Sequence, residues 1–416
     1  LLGNYLVPLL VEVGNINHAH HVFNLLIDQN DWSYCSLILG YVKLKKPLLA
    51  LNLYPQMQND SSICISGHTF LALLKACREL NDVDSLVGIH DEITCTGLLK
   101  KDAFLSNALV DVYAKCRSIA DARSVFNELS SQNVVLWTAL IVGYTDCGQS
   151  EDALNCFKEM QCKGLCPATL TLICTLKACA SIRDINKGCE LHEEISQRGF
   201  LDQDVTLGNV LVDLYAKCGL LVKARNVFDM LRVQNVVSWN TLISGYVTHG
   251  HGEEALKFFQ QMQLEGVSPD LVTFSCGLKA CCSILTLDEE GREIHGEILK
   301  KGFECEMCIG NSLVDFYAKY GQVAKAQEVF DKFPIRGLIA WTALISGYTE
   351  NGHAEEALNC FEKMKLDGFS PDAITFVCSL KACGNLKAID KGQEIHAEIE
   401  KSGLLEKDPY VGSVLV

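Results

Sequence analysis

The string Leu-Lys-Ala-Cys begins at Leu74, Leu176, Leu278 and Leu380, in steps of 102 residues. The strings NALVDVYAKC from Asn107, NVLVDLYAKCG from Asn209 and NSLVDFYAKYG from Asn311 keep the same spacing, as do Trp137, Trp239 and Trp341. A period that runs through a chain means that one supersecondary unit is built repeatedly. A cycle of 102 residues is too long for one solenoid module. Within it, three segments share one grammar: an apolar-periodic stretch, a break of Gly or small polar residues, then a second amphipathic stretch that stops near Gly or Pro.

Residues 236–270 illustrate the grammar. Trp239, Leu242, Ile243 and Tyr246 recur at helical spacing, His249-Gly250-His251-Gly252 interrupts, and Glu253 opens a second helix with Ala255, Leu256, Phe259 and Met262 on one side. Gly266 and Pro269 stop it. Neither helix buries its apolar stripe alone, so successive pairs must stack. The expected fold is all-α: a right-handed superhelical solenoid of helix-turn-helix repeats, one row of helices inside and one outside. Cutting at the breaks gives units of 31, 35 and 36 residues in fixed order. They fall at 103–133, 134–168 and 169–204, then 205–235, 236–270 and 271–306, then 307–337, 338–372 and 373–408. Units 1–30, 31–66 and 67–102 precede them, and 409–416 begin a thirteenth, with Leu415 and Val416 where Leu211 and Val212 stand. No linker remains, so residues 1–416 are expected to form one continuous array.

Composition narrows the function. The 49% hydrophobic and 21% charged content excludes wholesale disorder. The longest apolar run, Val134 to Tyr144, is shorter than the ~18 residues of a membrane span, so no membrane partner is expected. With 36 Lys plus Arg against 51 Asp plus Glu, the net charge of −15 argues at face value against a general polyanion binder. The 21 cysteines are an odd count in a long chain, unlike a small disulfide scaffold.

Two helical-repeat families share this grammar. Trp239, Leu242, Tyr246, Ala255, Phe259 and Pro269 resemble a tetratricopeptide repeat, but Ile243 stands where that family has Gly and no uniform 34-residue period appears. The 35/36/31 triplet, with WNTLISGY, LKAC and NxLVDxYAKCG, resembles the pentatricopeptide repeat family in its plant-type subclass of alternating P, L and S motifs. On that resemblance the S-type motifs are 1–30, 103–133, 205–235, 307–337 and the truncated 409–416. The P-type are 31–66, 134–168, 236–270 and 338–372, and the L-type are 67–102, 169–204, 271–306 and 373–408.

The resemblance implies a sequence-selective binder of single-stranded RNA in mitochondria or chloroplasts, one base per repeat, with RNA running 5′ to 3′ from N to C terminus. In the family the fifth and last residues of a motif choose the base. Carried over, Asn4 with Asn30, Asn107 with Asn133, and Asn209 with Asn235 resemble the cytosine pair. Asn240 with Asp270 resembles the uracil pair, and Thr342 with Asp372 the guanine pair. Thr138 is purine-like, and its partner Ala168 leaves A against G open. Asn311 suggests a pyrimidine, although Gly337 is an unusual partner. Cys35 with Ser66 fits no pair. The 36-residue motifs carry Leu71, Ile173, Ser275 and Val377 at the fifth position and are expected to select little. The expected target is 5′-CnnCRnCUnYGn-3′.

Lys75, Lys177, Lys279 and Lys381 lie four residues after a fifth position, on the same helix face, and are candidate phosphate contacts. Lys115, Lys217 and Lys319 recur likewise. Glu151/Asp152, Glu253/Glu254 and Glu355/Glu356 open second helices, where carboxylates suit the macrodipole. The expectation is a basic inner track within an acidic outer coat, which answers the objection from net charge.

His-x-Glu occurs at His90/Glu92, His192/Glu194, His295/Glu297 and His396/Glu398, the first half of a zinc deaminase signature. The second half is missing: Cys305 to Cys308 is preceded by Glu304 rather than Pro. Cys77, Cys179, Cys281 and Cys383 share one repeat position, and Tyr320 replaces the cysteine of Cys116 and Cys218, which speaks for packing over a metal. No cofactor, metal site or catalysis is therefore expected within these residues. The expected role is the specificity module of organellar RNA processing, above all C-to-U editing, with a deaminase or editing accessory protein as a further partner. The alternatives are a tetratricopeptide-like scaffold for proteins, or a fragment of a full editing enzyme. Residue 1 is Leu, the end cuts a helix pair and no transit segment is visible, so the chain is expected to be a fragment.

Overall fold

The computed structural model of the protein describes residues 2–60, 63–129, 131–202, 204–284, 288–332 and 337–404; the expected thirteenth unit, 409–416, lies outside the described residues. Every regular element among the described residues is helical. The helices gather in two compact units that divide between Leu214 and Tyr215, inside the helix Val205–Lys217. Within each unit they form antiparallel pairs, such as Val134–Asp146 with Ser150–Cys162 in the first and Val236–Thr248 with Gly252–Leu264 in the second. The first helix of a pair packs on its own second helix and on the first helix of the next pair, so first helices form the continuous row of each unit.

The starts of the first helices follow from capping. Asn30, Asn133, Asn235 and Asp372 each accept a hydrogen bond from the backbone N–H three residues on, filling one of the donors that a helix start leaves open. Asp102 accepts from Phe104 and Leu105, and Asp270 from the N–H of Thr273 at 2.9 Å. Ala168 and Gly337 occupy the same place without a side-chain cap. The turn between paired helices needs a left-handed residue. Gly250 takes it at φ 77°, and Arg117 takes it at φ 60° in an earlier pair.

Burial of the stripe supplies the cohesion. Trp137 meets Phe126 edge-on at 4.6 Å between ring centroids, Trp239 meets Phe228 at 4.6 Å, and Trp341 meets Phe330 at 4.5 Å. Such pairs contribute about 0.5–1.5 kcal/mol beyond the area they bury. In 31–66 the second helix is broken into Pro47–Leu51 and Tyr54–Asn59, because Pro55 has no N–H to return to the preceding turn.

The row of first helices is set by glycine against alanine. A Cβ added to Gly143 would stand 2.7 Å from that of Ala114; at Gly245 it would stand 2.6 Å from Ala216, and at Gly347 it would come closer still to Ala318. A side chain at these glycines must push one first helix off the next. Gly245→Val is expected to cost about 1–3 kcal/mol, the penalty of overpacking. Gly296→Ala, on the helix Asp288–Lys301 with nothing within 4 Å, should stabilise by about 0.5–1 kcal/mol. Urea unfolding followed by circular dichroism checks both signs.

Candidate nucleic-acid interface

Because the last residue of one unit caps the next unit's first helix, it lies beside the preceding first helix in the row. Asn133 Nδ2 donates to Asn107 Oδ1 at 3.3 Å, and Asn240 Nδ2 donates to Asp270 Oδ1 at 2.9 Å. Asn240 Oδ1 in turn accepts from the Thr273 hydroxyl at 2.6 Å. Burial works to raise the Asp270 pKa, but the Thr273 N–H, the Asn240 amide and the Thr273 hydroxyl outweigh it and hold the carboxyl below its ordinary range. It is an anionic acceptor at neutral pH. Thr138 and Thr342 place their hydroxyls 2.7 and 2.8 Å from those of Thr171 and Thr375, and Thr375 donates to Asp372 at 2.6 Å.

Two amides stand differently. Asn4 and Asn209 are buried, 8% and 7% exposed, and the Oδ1 of each has no hydrogen-bond partner. A buried acceptor without a donor costs about 1–3 kcal/mol, so these oxygens are poised for an N–H from outside. Asn4 Nδ2 donates to the Asp28 carbonyl rather than to Asn30, which is occupied as a cap. Asn209 belongs to the first unit and Asn235 to the second.

Sequence reasoning missed a set of exposed apolar side chains at one repeat position. Trp32, Phe104, Val135, Val237, Ile339 and Ile374 are each the second residue of their unit, three before the fifth, and are 64%, 80%, 59%, 58%, 66% and 61% exposed. Helical periodicity assigns apolar residues to the core, and these stand exposed one turn before the fifth position instead. The signal that could have found them is an apolar residue repeatedly placed two positions after a helix cap.

Lys75, Lys177, Lys279 and Lys381 are exposed on the first helices, and no ion pair holds them among the described residues. Lys115 and Lys319 are different, bound to Asp111 at 2.7 Å and Asp315 at 2.9 Å one turn back. Part of the expected inner charge is thus neutralised locally. Glu151, Asp152, Glu253, Glu355 and Glu356 are exposed in the first turns of second helices. In the second unit Asn311, Thr342, Asp372 and Lys279 line one cleft of about 480 Å³, with Ile339 and Ile374 beside them.

The pentatricopeptide repeat family, described as PPR repeat family and PPR repeat, matches residues 32–61, 104–134, 132–181, 209–236, 234–283, 311–338 and 336–385. The chain belongs to the pentatricopeptide repeat family. A pentatricopeptide repeat-containing protein of Arabidopsis thaliana is 32% identical over 418 residues, covering 100% of this chain and 50% of its own length. A chloroplastic one is 33% identical over 95% of this chain and 64% of itself, and a mitochondrial one 34% identical over 96% and 38%. The chain therefore spans about half the length of these curated relatives. The crystal structure of PPR10 in complex with an 18-nt psaJ RNA element matches with a TM-score of 0.79 at 18% identity, over 100% of this chain and 61% of that one. The likeness shows a shared fold, an all-α solenoid of helix-turn-helix repeats.

In this pentatricopeptide repeat chain the His-x-Glu pairs at His90 and His295 are struts. His90 Nδ1 lies 3.2 Å from the Tyr113 hydroxyl and His295 Nδ1 2.6 Å from that of Tyr317, both reaching forward to the next first helix. The glutamates reach back: Glu92 accepts from Tyr54 and Gln58, Glu297 from Gln263 at 2.7 Å, and Glu398 pairs with Lys365. Cys77, Cys179, Cys281 and Cys383 are buried, and burial pushes the Cys77 and Cys281 thiols up to about 12, which keeps them protonated. Among the described residues no three His, Cys, Asp or Glu side chains are grouped to hold a metal.

Burial lowers the pKa of His90 against the opposing pull of Glu128, Asp91 and Asp121. Burial, with Lys325 and Lys332, lowers that of His295 against Glu328 and Glu304. The unfolded chain then takes up protons more readily than the folded one. This contribution to stability is fully present above the ordinary imidazole value of 6.5 and is lost as pH falls through the lowered values. Thermal midpoints taken between about pH 7.5 and pH 5.5 should fall, and the His90→Gln/His295→Gln double variant should fall less steeply over the same range.

Proposed function

We propose that the chain binds single-stranded RNA, one base per unit, and serves as the specificity module of an organellar RNA-processing protein. The observation that carries this reading is the cleft in which Asn311, Thr342, Asp372 and Lys279 converge between Ile339 and Ile374. Amide, hydroxyl and carboxylate groups suit the Watson-Crick edge of a splayed base, exposed apolar side chains suit its faces, and a free ammonium suits its phosphate. Stacking of this kind contributes about 1–3 kcal/mol per base. The orphaned oxygens of Asn4 and Asn209 support cytosine at their positions, since its exocyclic amine supplies the missing donor.

The fold shared with PPR10, whose structure holds an 18-nt RNA element, supports the same reading. Relatives named chloroplastic or mitochondrial support an organelle. The fixed order of 31-, 35- and 36-residue units, which resembles alternating S, P and L motifs, supports C-to-U editing as the process, with catalysis supplied by a further domain or by a partner deaminase.

Fluorescence anisotropy with 5′-CnnCRnCUnYGn-3′ against a scrambled strand tests the reading; equal or absent binding points to a protein scaffold instead. Thr342→Asn should exchange the guanine preference at the eleventh base for uracil, a swing of about 1–3 kcal/mol. Replacing Lys75, Lys177, Lys279 and Lys381 with Gln should weaken binding to matched and scrambled strands alike. It should also flatten the dependence of log K on log salt by up to about 2.8, at roughly 0.7 for each phosphate that is no longer neutralised. An unchanged slope would remove these lysines from the interface.

A further inference from the structure

Units 31–66, 134–168, 236–270 and 338–372 share one grammar, and the first departs from it at the turn between its paired helices. Asp146, Glu151 and Asp152 surround that turn in 134–168, Thr248, Glu253 and Glu254 in 236–270, and Glu350, Glu355 and Glu356 in 338–372. The same places in 31–66 hold Lys43, Leu48 and Leu49, with Lys45 and Lys46 between them. Against 134–168 or 338–372, three carboxylates are exchanged for three ammonium groups and a pair of leucines.

All of these replacements face solvent, Leu48 and Leu49 at 61% and 43% exposure. Lys45 takes the left-handed position, φ 58°, that Gly148, Gly250 and Gly352 take at 75°, 77° and 82°. A Cβ is disfavoured there, and lysine lacks the short polar side chain with which Asn and Asp ease it. A cation at the C-terminus of a first helix suits the macrodipole, but that field is present in all four units and only 31–66 among them answers it with lysine. A loose ion pair with Glu79 at 3.7 Å leaves the Lys45 side chain largely in solvent and sets the turn of 67–102 alongside. Arg78 and Leu80 are exposed in that neighbouring turn, and Val13 is exposed in the turn of 1–30, whose first helix packs on the other side. Val13, Leu44 and Leu80 therefore stand on successive turns, with Leu48 and Leu49 beside the middle one.

This edge is at the opposite end of the first helices from their caps, about 20 Å away for a helix of 13 residues. It is remote from the proposed base-reading positions, and a polynucleotide backbone gains nothing from exposed leucines. An acidic partner helix would need a groove to lie in, whereas these apolar groups stand on turn tips. Leucine tips flanked by lysine suit an anionic lipid surface, where the leucines enter the headgroup boundary and the ammonium groups meet lipid phosphates. The same surface would repel the carboxylates that the other three units carry at this turn. No described helix is long and apolar enough to cross a membrane, and lying on one asks for none.

We propose that the turn edge of unit 31–66 docks on an anionic membrane surface, with Leu44, Leu48 and Leu49 entering it and Lys43, Lys45 and Lys46 meeting its phosphates. The proposal goes beyond the RNA reading and stands independently of it.

Flotation of the full chain with vesicles of phosphatidylcholine, alone or mixed with phosphatidylglycerol, tests it. The chain should float with the mixed vesicles and not with phosphatidylcholine alone, and added salt should weaken the association. Two variants copy the turn of 134–168 onto exposed sites: Leu48→Glu/Leu49→Asp, and Lys43→Asp/Lys45→Gly/Lys46→Gln. Each should lower the partition coefficient at least about tenfold while circular dichroism shows the helices unchanged. Flotation that survives the leucine variant would reduce the contact to adsorption by charge and overturn the proposal, as would equal flotation with phosphatidylcholine alone. Failure to float with either vesicle overturns it as well. An acidic amphipathic peptide that binds the chain, is lost in both variants and is accompanied by no flotation would overturn it in favour of a protein-docking edge.

Discussion

A Cβ on Gly245 would stand 2.6 Å from that of Ala216, and this close approach of one first helix to the next governs what the array can do. Glycine at Gly143, Gly245 and Gly347 lets backbones meet where any larger residue would separate them. Within each unit the first helices therefore form a continuous row, each packed on its own second helix as well as on the next first helix. Side chains near the helix starts are then brought within hydrogen-bond distance across unit boundaries, as at Asn107 with Asn133 and Asn240 with Asp270. The polar row is a consequence of that packing, and its chemistry is set by which residues can cap a helix.

Capping and the proposed base reading draw on the same atoms. Asp270 Oδ1 accepts from Thr273 N, Thr273 Oγ1 and Asn240 Nδ2, so the residue that holds the helix start is also the one that fixes the amide of its neighbour. The bond holds the Asn240 rotamer, which on the proposed reading preorganises it for a base. On that reading, a change at a last position would act on stability and on recognition together. Asn4 and Asn209 represent the other state of the same design, in which one acceptor is left buried and unfilled.

Much of this was legible in the sequence because the period and the caps are local signals. The 102-residue repeat located the helix pairs, and the fifth and last positions were reached through a resemblance. What was not legible depends on pairings between residues distant in sequence or on departures from periodicity. The exposed second residues, such as Trp32 and Ile374, have the composition of a core and the placement of a surface. Lys115 and Lys319 recur as regularly as Lys75, yet each is tied to an aspartate one turn back, which the repeat alone does not reveal. His90 and Glu92 share a motif but point to different neighbours, one forward to Tyr113 and one back to Gln58, so a catalytic-looking pair is divided between two packing contacts.

The central claim is that bases lie in order along the row of first helices, one to a unit. A matched strand carrying 4-thiouridine at the eighth base, irradiated in complex with the chain and digested for mass spectrometry, tests it most directly. The account predicts a crosslink to the peptides around Val237 and Asn240 or around Val272, at the starts of the helices Val236–Thr248 and Leu271–Ile284. A crosslink to the second helix Gly252–Leu264, or to a unit elsewhere in the order, would contradict it.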